Sequence, residues 1–302
     1  MTIPSGGGVD GQVFTRPSRL AAYANFVKVA HTVFALPFAV VGIMTAARSY
    51  PLAGRTVALA LLAFGAARFA AMGFNRIADV EYDALNPRTR ERELPAGRMT
   101  RREAWVLVVI MAALFITSAA LLNPVCLALS PVALAWILGY SYAKRFTHLS
   151  HVWLGAGLAI APVGGYLAVA GQWSVPWGLM VTMAAAVACW VAGFDTLYAL
   201  QDQDFDREHG LKSLPVLLGA RDAIKVARAL HAAAVGLLLL FWWAAGFGPY
   251  FLVSVLLAAG LLAWEHRLVQ PGDYSKLDAA FFTMNGVIAA VIMLGAMADV
   301  LA

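Results

Sequence analysis

The chain of 302 residues is divided into apolar stretches, each about long enough to cross a bilayer as a helix. No other feature constrains the fold as strongly. The stretches run over 24–47, 54–79, 103–122, 125–143, 152–171, 177–200, 223–245, 249–265 and 277–301. At about 1.5 Å per residue, about 20 residues span the ~30 Å hydrocarbon core. The runs are continuous rather than alternating, which argues against a β-barrel. Composition agrees: 61% of residues are hydrophobic and 13% charged, where a soluble domain carries about 25% charged residues. The sequence therefore predicts an all-α, polytopic membrane protein with nine transmembrane helices, forming a single domain over residues 20–302. Residues 1–19 hold Gly6, Gly7 and Gly8 but no apolar run, and read as a disordered cytosolic tail rather than a signal peptide. Cys126 and Cys189 lie in apolar runs and read as small buried hydrophobes.

Basic residues orient the bundle. The connection after the second span holds Arg88, Arg90, Arg92, Arg98, Arg101 and Arg102, and the one after the fourth begins at Lys144 and Arg145. Arg207, Lys212 and Arg221 follow the sixth, and Arg267 and Lys276 the eighth. The opposite connections carry only Arg48 and Arg55. The positive-inside rule then places the N-terminus in the cytosol and the C-terminus outside, in a cell (inner or plasma) membrane. The net charge of +5 is this bias, and calls for no nucleic-acid partner. The basic side faces anionic lipid headgroups of the bilayer.

Two acidic clusters stand at that same face. Asn75, Asp79 and Asp83 follow one another at intervals of four after the second span. Asp202 and Asp206 repeat the interval after the sixth, with Tyr198 one step ahead and Asp195 inside the apolar run. On a helix such residues share a face, where like charges repel and call for a cation between them. Mg²⁺ suits the pattern: it takes oxygen ligands, one or two carboxylates, and completes its shell with water and phosphate oxygens. Asp79 and Asp202 stand 123 residues apart, as do Asp83 and Asp206. The two halves therefore read as a weak parallel repeat with both clusters on one side of the membrane. An ionisable group inside an apolar run, such as Asp195, is a functional candidate by default.

Metal-bearing carboxylates facing one another suit a pyrophosphate, which also needs cations. Lys28, with His31 after it, Arg68, Arg76, Lys144 and Arg145 all lie toward the cytosolic side. The loop 86–97, NPRTRERELPAG, mixes arginines with Glu91 and Glu93 and reads either as a solvated loop or as a cap that closes on phosphate.

Three runs together resemble one family: NRxxDxxxD at Asn75, Arg76, Asp79 and Asp83; YxxxKR at Tyr140, Lys144 and Arg145; and YxxxDxxxD at Tyr198, Asp202 and Asp206. They resemble the UbiA superfamily of intramembrane aromatic prenyltransferases, over nearly the whole chain. Within it the chain resembles the branch of 4-hydroxybenzoate polyprenyltransferases, which overlaps the futalosine-route menaquinone enzymes. The resemblance implies nine helices around a central cavity with a cytosolic cap. It also implies Mg²⁺ held by Asn75, Asp79, Asp83, Asp202 and Asp206. Lys28, Arg76, Lys144 and Arg145 would neutralise the pyrophosphate of a polyprenyl donor, Tyr140 and Tyr198 would line the substrate site, and Tyr198 would face the allylic cation. Asp195 would orient the aromatic acid or take its proton. Gln203 stands where the ubiquinone-type enzymes commonly carry a basic residue. That leaves two acceptors open, a 4-hydroxybenzoate-like acid and a dihydroxynaphthoate-type acid. A cation-coupled transporter is the alternative from another class. It would place its acids near the bilayer midplane, whereas these gather at one face beside basic residues. Nothing in the sequence bears on oligomeric state.

Overall fold

In a computed structural model, residues 19–27, 32–174, 177–269, 277 and 283–302 are described. The expected tail, residues 1–19, lies outside them except for Arg19, which opens the first helix. Among the described residues every regular element is helical: α1 (Arg19–Phe26), α2 (Thr32–Ala47), α3 (Gly54–Ala78), α4 (Val80–Leu85), α5 (Arg101–Leu122), α6 (Pro124–Phe146), α7 (Ser150–Ala170), α8 (Trp177–Tyr198), α9 (Gln203–Glu208), α10 (Leu214–Leu218), α11 (Ala220–Ala245), α12 (Pro249–Leu268) and α13 (Asn285–Leu301). Seven helices are long and apolar enough to cross a membrane: α3, α5, α6, α7, α8 with its continuation to Glu208, α11 and α12. In the described residues the first and last expected spans are shorter, 16 residues in α2 and 17 in α13. Among the described residues the nine expected spans correspond to seven full-length helices and two shorter apolar ones, α2 and α13.

The chain is a multi-pass membrane protein, and its burial pattern shows why. Val109, Ile110, Leu256, Leu257 and Trp264 all point outward, where only lipid makes such apolar exposure favourable. Half of α8's most apolar window is buried but only 11% of that of α6, so α8 is the axis of the bundle. The main core packs Trp190, Val191 and Phe194 of α8 against Phe38, Val41 and Ile43 of α2, Phe241 of α11, Phe251 and Val255 of α12, and Ile288 and Ile292 of α13.

Local signals set the ends. Thr100 and Glu103 cap α5 reciprocally: Thr100 Oγ1 accepts from the Glu103 N–H at 3.2 Å, and Glu103 accepts from the Thr100 N–H at 2.8 Å. Asn123 caps α6, with Pro124 as its first residue. Helices α2 and α7 pack closely through glycines. A Cβ on Gly42 would stand 1.9 Å from the Pro162 carbonyl oxygen, and one on Gly165 2.1 Å from that of Ala39. Small residues let membrane helices approach until van der Waals contact replaces a hydrophobic driving force. Gly165→Ala should therefore destabilise by about 1–3 kcal/mol through overpacking. Gly65→Ala, with open space around its Cβ, should be neutral or slightly stabilising. Thermal unfolding of the two variants in detergent checks this, and equal midpoints would contradict it.

Candidate active site

The two acidic runs fold alike. The helix of the first ends at Ala78, and Asp79 takes φ −99° and ψ 6° before a six-residue helix begins. The second passes from α8 through a single 3₁₀ turn, Ala199–Asp202, and Asp202 takes φ −100° and ψ 4° before another six-residue helix. Each run breaks at its first aspartate. The backbone bonds from Asp83 N–H to Asp79 O and from Asp79 N–H to Asn75 O keep the first path nearly helical. The expectation of one uninterrupted helical face is corrected to a break at Asp79 and Asp202. That break leaves Asp83 and Asp206 buried in the first turn of α4 and α9. Matching breaks, 123 residues apart in the chain, support the reading of two equivalent halves.

Each of the four carboxylates has a cation. Asp206 takes Lys144 Nζ at 3.0 Å and Asp79 takes Arg145 at 3.6 Å. Two adjacent residues at the end of α6 thereby join opposite halves. The loop after α4 does the same in reverse. Arg92 donates to Asp83 Oδ1 at 2.7 Å. Arg88 reaches Asp202 through two nitrogens, Nε to Oδ1 at 3.0 Å and Nη2 to Oδ2 at 2.6 Å. This forked bond is the strong geometry for arginine and carboxylate. Asn86 adds a bond to Asp202 Oδ1 at 3.2 Å, and its own oxygen accepts the Arg88 N–H, which fixes the turn. The Arg88 guanidinium also lies over the Tyr198 ring, 5.6 Å from its centroid. Asn75 donates to Asp79 Oδ2 at 2.9 Å. Arg145 bonds the Ala78 carbonyl at 2.5 Å and faces the rings of Tyr82 and Tyr142.

Below this charged layer lies a cavity of about 420 Å³. It is lined from α2, α3, α5, α6, α7 and α8, mostly by alanine, leucine, glycine and aromatic residues. Its polar groups include Asn75, Arg92, Tyr140, Asp195, Tyr198 and Arg68. The Arg68 Nε has no hydrogen-bond partner among the described residues. Helices α11, α12 and α13 contribute no lining; α12 and α13 back the bundle and α11 packs on α8. Arg76 is buried in the last turn of α3 and is not among the lining residues. Lys28 and His31 lie outside the described residues. Both cysteines are free and half-buried, with Cys126 on the cavity wall. Gln203 turns its amide to the Pro215 carbonyl of α10 at 2.8 Å. The departure from the family pattern there holds a loop rather than shaping the cavity.

Among the described residues no three His, Cys, Asp or Glu side chains gather as a ready metal cage. The donor set nonetheless suits Mg²⁺, which needs only one or two carboxylates from each side. Asp83 carries the clearest mark of it: Oδ2 is buried with no hydrogen-bond partner among the described residues. Burial, with the Asp83 carboxyl adding to it, pushes Asp79 up to about 6. Arg88, Asn86 and Arg92 are site residues that motif reading did not place. Arg88 and Arg92 were legible only as part of an arginine-rich loop.

The sequence profile of the UbiA prenyltransferase family matches residues 35–287, and the chain belongs to that family. A 4-hydroxybenzoate octaprenyltransferase of Azotobacter vinelandii is 37% identical over 198 residues, 66% of each chain and so just under two thirds of that relative. One of Citrobacter koseri is 33% identical over 73% of this chain and 75% of its own. Among solved structures, a UbiA homologue from Aeropyrum pernix K1 superposes with a TM-score of 0.81 at 39% identity, over 89% of this chain and 98% of that one. A homologue from Archaeoglobus fulgidus bound to DMAPP and Mg²⁺ shares the fold, with a TM-score of 0.72 at 22% identity over 93% and 99% of the two chains.

Burial ranks the ion pairs. The Asp206 side chain is 2% exposed, whereas Asp79 and Arg145 are 30% and 36% exposed. Lys144→Met strands a buried carboxylate and should cost about 3–5 kcal/mol. Arg145→Met should cost no more than about 1 kcal/mol. Thermal unfolding without divalent metal checks the contrast, and a larger loss for Arg145→Met would contradict it.

Proposed function

We propose that this protein transfers a polyprenyl group from an allylic polyprenyl pyrophosphate to a 4-hydroxybenzoate-like aromatic acid in quinone biosynthesis, releasing pyrophosphate. One observation carries the reading. Two matched acidic breaks, each carboxylate balanced by a cation, close the polar end of an apolar cavity. The 4-hydroxybenzoate octaprenyltransferase activity of the two relatives and the DMAPP and Mg²⁺ bound by the Archaeoglobus fulgidus homologue support it. Positive-inside counting supports a cytosolic site, N-terminus and cap, with the C-terminus outside.

Asn75, Asp79 and Asp83 on one side, and Asp202 and Asp206 on the other, would hold Mg²⁺, which supplies positive charge at the departing pyrophosphate. The chain's own residues do the rest. Arg88 and Arg92, now on Asp202 and Asp83, are the cap cations within reach of the site that would pair with pyrophosphate oxygens. Lys144 and Arg145 add charge from α6, and Lys28 and Arg76 are the further cations this reading assigns. As the allylic C–O bond breaks, its electron pair goes to the pyrophosphate oxygen, and these cations stabilise the charge that develops. The Tyr198 face, covered here by Arg88, is released to the allylic cation. Tyr140 shares that end of the cavity. The apolar walls exclude the water that would quench the cation. Arg68 lines the cavity with its Nε buried and without a hydrogen-bond partner among the described residues, and is placed to receive the acid's carboxylate. Gln203 faces α10 rather than the cavity, so its identity does not set the choice between the two aromatic acids.

Purified protein with Mg²⁺, an allylic polyprenyl pyrophosphate and 4-hydroxybenzoate should yield prenylated acid and pyrophosphate. Asp79→Ala combined with Asp202→Ala should abolish both. No prenylated product from either aromatic acid would overturn the reading. A pH dependence follows from Asp79: below about pH 6 it holds a proton that a metal must displace. The Mg²⁺ concentration for half-maximal rate should therefore rise about tenfold for each pH unit below 6 and level off above it. A flat requirement between pH 5 and 7, on the order of that range, would contradict the assignment of Asp79 as ligand.

A further inference from the structure

His151, in the first turn of α7, lies outside every motif above, yet its ring is wholly buried. Its Nδ1 lies 2.6 Å from Asp195 Oδ2. Its Nε2 accepts the Leu214 backbone N–H at 3.3 Å. A backbone N–H only donates, so Nε2 carries the lone pair and Nδ1 carries the proton. The tautomer is thereby set, and the ring donates to Asp195. Leu214 begins α10, in the segment that follows the second acidic pair. That segment is tied to the site by the bonds of Leu211 N–H to Asp206 O and of Lys212 N–H to Lys144 O. Asp195 lines the cavity, and its Oδ1 has no hydrogen-bond partner among the described residues.

We propose that His151 is a positioning residue for Asp195, fixing one carboxylate oxygen so that the other receives the ring proton of the aromatic acid. The inference rests on the prenyl-transfer reading. In that step a ring π pair forms the bond to the allylic carbon, as the C–O pair leaves on pyrophosphate. The C–H pair then returns to the ring, and its proton passes to Asp195 Oδ1. His151 takes no part in this transfer and keeps its Nδ1 bond to Asp195 Oδ2. An orienting partner of this kind acts by holding the acceptor's rotamer and lone-pair direction.

Two near-isosteric substitutions separate this role from a purely structural one. The amide nitrogen of His151→Asn can replace the Nδ1 donor to Asp195 but leaves the Leu214 N–H without its acceptor. The amide oxygen of His151→Gln can replace Nε2 but gives Asp195 no donor. Initial rates of prenylated-arene formation, the KM for each substrate and thermal midpoints should be measured for both. For His151→Gln, kcat should fall at least about tenfold, with the KM for the pyrophosphate donor and the midpoint little changed. His151→Asn should recover most of that kcat despite a lower midpoint. Full activity in His151→Gln, or a kcat loss confined to His151→Asn, would overturn the role while leaving the prenyl-transfer reading intact. A wild-type protein that prenylates no arene would overturn both. In ¹⁵N-histidine protein, the Nδ1-bound proton should be observed and should shift in Asp195→Asn; a proton on Nε2 instead would overturn the proposal whatever the rates.

Discussion

Four carboxylates gathered at one end of an apolar bundle repel one another, and the site is organised around relieving that repulsion. Asp83 and Asp206 are nearly fully buried, where an isolated charge costs several kcal/mol. The relief is distributed with a pattern. The end of α6 sends Lys144 to one half and Arg145 to the other, and the cap loop sends Arg92 to one half and Arg88 to the other. Each cationic segment therefore bridges the two halves, and the carboxylates hold the cap in place as much as the cap neutralises them. Such a balance can be exchanged. A ligand that brings its own cations to the carboxylates, and its own anion to the arginines, satisfies both sets at once. A magnesium pyrophosphate has that composition.

The two-fold character of the molecule is local. The aspartates at 79 and 202 share a backbone geometry to within a few degrees and are each followed by a helix of six residues. The surroundings then diverge. The first half faces the cavity through Asn75, the second through Asp195 and Tyr198. In the proposed reaction both halves serve the donor end, while α8 with Asp195 and Tyr198 and α3 with Arg68 line the cavity that would take the acceptor. The proposed proton acceptor, Asp195, stands on α8, the most buried of the long spans. His151 and α10 brace it further from the side away from the cavity.

Much of this was legible in the sequence because membrane spans are written in composition. The expected run 54–79 is α3 from Gly54 to Ala78, and 249–265 is α12 from Pro249 to Leu268. The acidic repeats were legible through their spacing. The breaks at Asp79 and Asp202 were not, because an interval of four suits a continuous helix and a nearly helical break equally well. Pairings across the bundle were illegible for a different reason. Arg88 and Asp202 are 114 positions apart, and an arginine-rich loop at a cytosolic face satisfies the positive-inside rule whatever it touches. His151 left one trace, a titratable side chain at the head of an apolar run. Only its two bonded partners give that trace a meaning.

The two halves are proposed to hold one metal–pyrophosphate unit together, each contributing its own carboxylates. Electron paramagnetic resonance of Mn²⁺ added in place of Mg²⁺, with an unreactive allylic pyrophosphate analogue, tests it directly. Two ions should bind per chain in the presence of the analogue, falling to one in Asp79→Ala and to one in Asp202→Ala. Two ions retained in either variant, or tight ion binding independent of the analogue, would contradict it.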